Sequence, residues 1–244
     1  MATYTTLLDT LPDPNNGIGQ AGESGAILGP GYSAVQLSSE HEILHTRTNS
    51  GRLISRQLSG HKWTINLSYN PMTREQFEPV FSFLAEKKGS LTPFKVSLPQ
   101  YKAPQNSAFA TFVASNTFVT IPAGAAGTTN LLIAVTGYNK DTKGRASAGD
   151  IFTITDPLDS NHTKVYQVVG VDDNATYPTG TTAPGTTQLR IYFNPALQRA
   201  VSSGSSIIFN NPKFRVVLAS DVQQYDLNTD NLYSFSLKLE EAQR

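Results

Sequence analysis

At 244 residues the chain has room for one large β domain or two smaller ones, each with its own core. Its formal net charge is +0 and 16% of its residues are charged, against roughly a quarter in ordinary globular chains, which argues against long-range capture of nucleic acid or an anionic membrane. A cysteine count of 0 excludes disulfides, a thiolate nucleophile and any Cys-ligated metal, so the fold must hold by packing alone.

The first residues, MATYTTLLDTLPDPNN, have neither a basic start nor an apolar core, so no signal peptide is expected in them. The longest apolar run, LLIAV at 131–135, is far too short to span a bilayer. A soluble protein made and assembled in a cytosol is the expectation. Residues 1–31 are rich in Gly, Pro and Asn without a period and read as an irregular arm.

Residues 32–59 read as two strands around the turn Asn49-Ser50-Gly51. Glu42, Leu44 and Thr46 share one face of the first, and Arg52, Ile54 and Arg56 one face of the second. That mixed, weakly apolar pattern suits a hairpin that projects and meets a partner. HKWTINLSY follows as a half-buried strand, with Trp63, Ile65, Leu67 and Tyr69 alternating against Lys62, Thr64, Asn66 and Ser68.

Next comes a helix with both ends marked. Thr73 and Gln76 form a Thr-x-x-Gln capping box. Glu75 in the first turn and Lys87 and Lys88 in the last suit the helix dipole, and Gly89 suits a left-handed C′ position. Phe77, Val80, Phe81 and Leu84 make one narrow apolar stripe, so the helix is built to lie on a sheet. Pro79 removes an amide donor inside it. Strand-like alternation returns at Phe94, Val96 and Leu98, and again near the end at Tyr233, Phe235, Leu237 and Leu239.

Between these lies a stretch of other composition, about 104–211, which holds none of the eight Glu. Its candidate strands are 117–121, 131–135, 150–154, 164–171, 189–193 and 206–209, separated by Gly or Pro turns and with no helix signal. Such a pattern reads as a small barrel or sandwich, and 177–188 as a loop. The expected organisation is a discontinuous β domain from 1–103 and 212–244 with a second β domain, 104–211, inserted in it.

No chemical motif survives scrutiny. GIGQAG at 17–22 has the dinucleotide-loop spelling but neither the strand before it nor the helix after it. His41 and His45 share a face without a third ligand at recognisable spacing. Asp156, Asp159, Asp172 and Asp173 fall near turns, where local hydrogen bonding explains them better than calcium. No G-x-S-x-G elbow is present, and nothing singles out a catalytic carboxylate pair. Arg47, Arg52, Arg56 and Lys62 are interleaved with Glu40 and Glu42, which fits a solvated or intersubunit face better than a nucleic-acid groove. Tyr166, Tyr192 and Phe193 are candidates for a stacking platform, with core packing the plainer reading.

The order of parts does carry a resemblance. A projecting hairpin is followed by SGHKWTINLSYNPMTREQFEPVFSFLAEKKGSLTPFKVSLP: a Trp-bearing strand, Tyr-x-Pro-Met-Thr, an amphipathic helix, Lys-Gly, then Phe-x-Val-x-Leu-Pro. This resembles the distal tail proteins of long-tailed bacteriophages and their tail-tube-like relatives. SAGDIFTI, HTKVYQVVGV, LRIYFNPALQ and FNNPKFRVVL resemble the oligonucleotide/oligosaccharide-binding-type domain inserted in some members. The likeness spans about 30–244 and brings no catalytic residue, metal ligand or cofactor with it.

It implies a mainly β chain: a tail-tube-like β-sandwich with one flanking helix and a projecting hairpin, plus an inserted small β-barrel of OB type. The implied role is a non-enzymatic virion protein, a homohexameric ring at the distal end of the tail. The ring would join the tail-tube protein to a hub or baseplate protein, and to a fibre or receptor-binding protein. DNA would cross the lumen without specific binding, and no membrane is involved. Intersubunit contacts are expected at Glu42, Leu44, Arg47, Arg52, Ile54 and Arg56. The competing expectations are a glycan-binding adhesion module carried by the inserted domain, or a tail-tube or baseplate-hub subunit.

Overall fold

A computed structural model describes residues 9–14, 17–18, 27–160 and 162–242. The chain is mainly β and divides into two compact units. The described residues of 1–96 and 215–242 form the first, and those of 97–214 the second.

Short strands β1 (Gly17–Ile18) and β2 (Ile27–Leu28) pair with each other. They include the first two residues of the 17–22 glycine motif, and its other residues lie outside the described ones. The first unit is otherwise built on a five-stranded sheet in the order β3-β4-β15-β12-β5. These strands are β3 (Tyr32–Arg47), β4 (Leu53–Tyr69), β5 (Phe94–Ser97), β12 (Lys213–Leu218) and β15 (Ser236–Glu241).

Strict alternation explains the sheet. Trp63, Ile65, Leu67 and Tyr69 on β4, Phe214, Val216 and Leu218 on β12, and Leu237 and Leu239 on β15 are all buried. Helix α1 (Arg74–Lys87) belongs to this apolar layer, with Phe77 edge-on to Phe235 at 5.5 Å and Phe83 edge-on to Phe94 at 5.5 Å. Its capping box is present, the Thr73 amide donating to Gln76 Oε1 at 3.2 Å.

Three readings of this unit need correction. The segments read as a second hairpin strand and a separate Trp63 strand are one 17-residue strand, β4. A bulge sets His41 opposite His61 but Ile43 opposite Gln57, and it absorbs Gly60, over which the Glu42 side chain folds. On α1, Phe83 is buried and Phe81 is not, and Lys87 is buried with its Nζ 4.7 Å from the Phe83 ring centre. Gly89 at C′ does take the left-handed conformation expected of it (φ 67), and Lys88 before it does so too (φ 54).

The arm, third, is structured where it is described. Leu11 is fully buried, its amide donates to the Lys95 carbonyl at 2.8 Å, and the Lys95 amide donates to the Asp9 carbonyl at 2.6 Å. Residues 9–11 thus cover the outer edge of β5, a common answer to an open strand border. Gly29 locks this segment, because a Cβ there would lie 2.4 Å from the Pro12 carbonyl carbon. Gly29→Ala is therefore expected to strip residues 9–13 from β5. Hydrogen exchange at the Leu11 and Lys95 amides should accelerate, and unchanged protection would contradict the assignment.

The second unit is a closed barrel in the order β10-β7-β6-β11-β8-β9. Its strands are β6 (Phe118–Thr120), β7 (Asn130–Ala134), β8 (Ile151–Thr155), β9 (Val165–Asp172), β10 (Gln188–Asn194) and β11 (Ser206–Ile208). Closure leaves no free edge. Inward residues including Phe118, Ile133, Phe152, Tyr166, Val168, Ile191 and Phe193 form one buried cluster. The segment holds a helix after all, α2 (Ser107–Val113), capped by Asn106 Oδ1, which accepts from the Phe109 amide at 3.0 Å. Phe109 and Phe112 of α2 meet Phe118 at 5.8 and 6.1 Å. A four-residue helix, α3 (Lys140–Lys143), follows β7.

Candidate interaction surface

Among the described residues, no group of three or more His, Asp or Glu side chains is arranged to hold a metal. Each candidate group instead has a structural occupation. Tyr166 and Phe193 are buried in the barrel against Phe152, Tyr166 stacked on it and Phe193 edge-on, and half-buried Tyr192 donates to Asp172 Oδ2 at 2.7 Å. Asp156 accepts from the amides of Leu158 and Ser202 at 2.9 and 2.8 Å. Asp159 takes both contacts of Arg199, at 2.9 and 2.7 Å.

Burial pushes the Asp173 carboxyl up, but the Ala175 and Thr176 amides and Arg145 outweigh it and hold the group below its ordinary value. His41 and His61 face each other across β3 and β4 with ring centres 4.6 Å apart, and His45 lies further out on the exposed hairpin.

His162 is buried in the barrel unit, with Nε2 3.1 Å from the Tyr166 hydroxyl. Burial holds its imidazole below the usual range, against the opposing pull of Asp159 and Asp156. The unfolded chain takes up this proton near pH 6.5 and the folded chain only at lower pH, so the unfolded state binds more protons in between. The contribution of His162 to stability is complete above about pH 6.5 and is lost as pH drops below it. His162→Gln is expected to flatten this part of the stability-versus-pH profile between pH 7 and 5, measured by denaturant titration. An unchanged slope would exclude His162 as its source.

What remains is a surface. Beyond the bulge, residues 43–47 and 53–56 of β3 and β4 are exposed on both faces. Ile43, Leu44, Leu53 and Ile54 are between 46% and 58% exposed, two aliphatic side chains on each face of the hairpin, and such exposed apolar surface marks a candidate contact site. Register pairs Leu44 with Arg56 and Thr46 with Ile54 on one face, and Arg47 with Leu53 on the other.

Of the expected contact residues, Leu44, Ile54 and Arg56 therefore come together on one face. Arg47 lies on the opposite face, Arg52 sits in the turn, and Glu42 sits at the bulge over Gly60. Thr48 and Ser50 order the turn, their hydroxyls 2.9 Å apart, with the Arg52 amide donating to Thr48 Oγ1 at 3.1 Å.

The second feature is the polar face of the sheet. Lys62 Nζ lies 3.6 Å from both Glu40 and Glu240, and the Thr64 hydroxyl donates to Glu40 at 2.6 Å, which holds that carboxyl below its ordinary value. Asn66 donates to Gln36 at 3.0 Å. Charges of both signs alternate there with no basic run.

No family model matches the chain. It is 27% identical over 217 residues to "Distal tail protein pb9" of Escherichia phage T5, across 88% of this chain and 93% of that one. The likeness is to a phage tail protein. Because it runs nearly end to end in both chains, it takes in the sheet unit and the barrel alike, and it supports a structural role in a phage tail and a place in the virion.

Proposed function

We propose that the chain is a non-enzymatic distal tail subunit that assembles as a homohexameric ring. The ring joins the tail tube on one side to hub or baseplate and receptor-binding components on the other. The observation that carries this reading is the near end-to-end likeness to the T5 distal tail protein. The hairpin supplies the means of assembly. Its aliphatic tip has no burial partner in its own strand pair, and self-association removes that surface from water. Residues 1–103 and 212–244 form the ring, and the barrel of 104–211 serves as a docking wall.

The outer edge of β3 is the other site for a neighbour. Among the described strands it has no further strand beside it, whereas the β5 edge is covered by residues 9–11. The balanced charge of the polar sheet face suits a lumen that DNA crosses without retention, since clustered cations hold phosphate tightly. Antibody raised against the purified chain, with gold detection on intact virions, tests the placement. Label confined to the tail end opposite the head is expected, and label along the whole tube would overturn it.

A further inference from the structure

The first unit carries two exposed apolar surfaces with opposite charge. The hairpin tip, residues 43–56, holds Arg47, Arg52 and Arg56 and no Asp or Glu. The segment 219–235, which contains the paired strands β13 (Asp226–Leu227) and β14 (Tyr233–Ser234), holds Asp221, Asp226 and Asp230 and no Lys or Arg. On it Val222, Tyr225 and Leu227 are 47% to 66% exposed. Elsewhere on the unit the apolar side chains are mostly turned inward.

This second surface is built and not loose. Tyr225 rests against Phe77, Phe81 and Tyr233 with ring centres at 5.0, 5.5 and 5.6 Å. Asn228 Oδ1 accepts from the amides of Asp230 and Leu232 at 3.0 and 2.8 Å, which fixes the turn. Asp221 accepts from the Ser90 amide and hydroxyl at 3.0 and 2.6 Å, so Asp226 and Asp230 are the acids presented outward. A groove of about 380 Å³, lined by Leu218, Val222, Gln223, Phe235 and Leu237 among others, opens beside the segment.

Within one chain the two surfaces cannot meet. Met72 and Tyr233 exchange backbone hydrogen bonds at 2.9 and 2.8 Å, and Ser236 pairs with Ser68, so the acidic segment sits at the Tyr69 end of β4. The basic tip is at the Leu53 end of the same strand, roughly 50 Å away at about 3.3 Å of rise per residue. Two tips facing each other would set arginine against arginine, which disfavours a symmetric tip-to-tip contact.

We propose that the hairpin tip of one copy docks on segment 221–233 of the next, aliphatic side chains against Val222, Tyr225 and Leu227, and arginines against Asp226 and Asp230. The contact is head-to-tail, so each copy gives one surface and receives the other, and repetition closes a ring or continues as a filament. It rests on the self-assembly reading above and supplies the acceptor that reading lacks.

The native chain has 0 Cys, so introduced thiols report cleanly. With Ile54→Cys and Leu227→Cys in one chain, mild oxidation is expected to give covalent multimers on a non-reducing gel, while neither single variant cross-links. Arg52→Glu with Arg56→Glu is expected to weaken assembly about tenfold or more, and adding Asp226→Arg with Asp230→Arg to restore it. Cross-linking by Ile54→Cys alone would overturn the docking in favour of tip-to-tip contact. A wild-type ring of full mass, with no cross-link in the double variant and no rescue, would overturn the acceptor while the ring reading stands. A monomeric wild type would remove the ring reading and this contact together.

Discussion

Replacing Phe77 with alanine is expected to lower the unfolding free energy of the first unit by about 3–5 kcal/mol, the usual cost of truncating a buried aromatic side chain. The residue is 3% exposed and is the hub of its layer. Its ring stacks on Tyr233 at 4.5 Å, meets Tyr225 and Phe81 at 5.0 and 5.3 Å, and stands edge-on to Phe235 at 5.5 Å. Truncation therefore leaves several faces without contact at once, and helix α1 loses one of its anchors on the sheet. Trp63, the single tryptophan, is buried in the same unit, so its fluorescence follows that unit through a denaturant titration. A loss below about 1 kcal/mol would show that Phe77 does not hold the helix in place.

The second large effect is on assembly. Leu44→Asp with Ile54→Asp puts charge on the hairpin face that also carries Thr46 and Arg56. Both side chains are exposed, so the fold itself should change by no more than about 0.5 kcal/mol. Burying those two carboxylates against a neighbour would cost far more than water exposure does, so the oligomer is expected to fall to monomers in light scattering at micromolar concentration. The Trp63 transition serves as the control for folding. Oligomers that persist unchanged would remove the hairpin from the interface.

Much of the architecture could be read from residue pattern, because burial and alternation coincide in short antiparallel strands. All six barrel strands match the expected apolar runs, around Phe118, Leu131, Ile151, Val165, Leu189 and Ile207, to within one residue at each end. The marked start of α1 is legible because its signal is local, Thr73 and Gln76 acting within one turn. Helix α2 was not. Its seven residues, SAFATFV, offer only Phe109, Phe112 and Val113 as a helical triplet, and Asn106 as a cap was the one signal that marks it.

Long-range features were less legible. Gly60 looks like a strand break and becomes a bulge only because β3 runs alongside it. The burial of Leu11 depends on an edge 84 positions further along, at Lys95, which no local period announces. At the candidate surface, Leu44, Ile54 and Arg56 share a face by parity, but Arg47 cannot be placed with them once register sets it opposite Leu53. The acidic segment around Tyr225 has almost no strand period, and its position follows from long-range contacts such as the Met72–Tyr233 pairing.

The central claim is that copies of this chain complete one another. Class-averaged electron micrographs of the purified full-length protein, with native mass on the same sample, test it most directly. Closed rings of six copies are the expected result. A stable monomer, or particles that extend without closing, would contradict it.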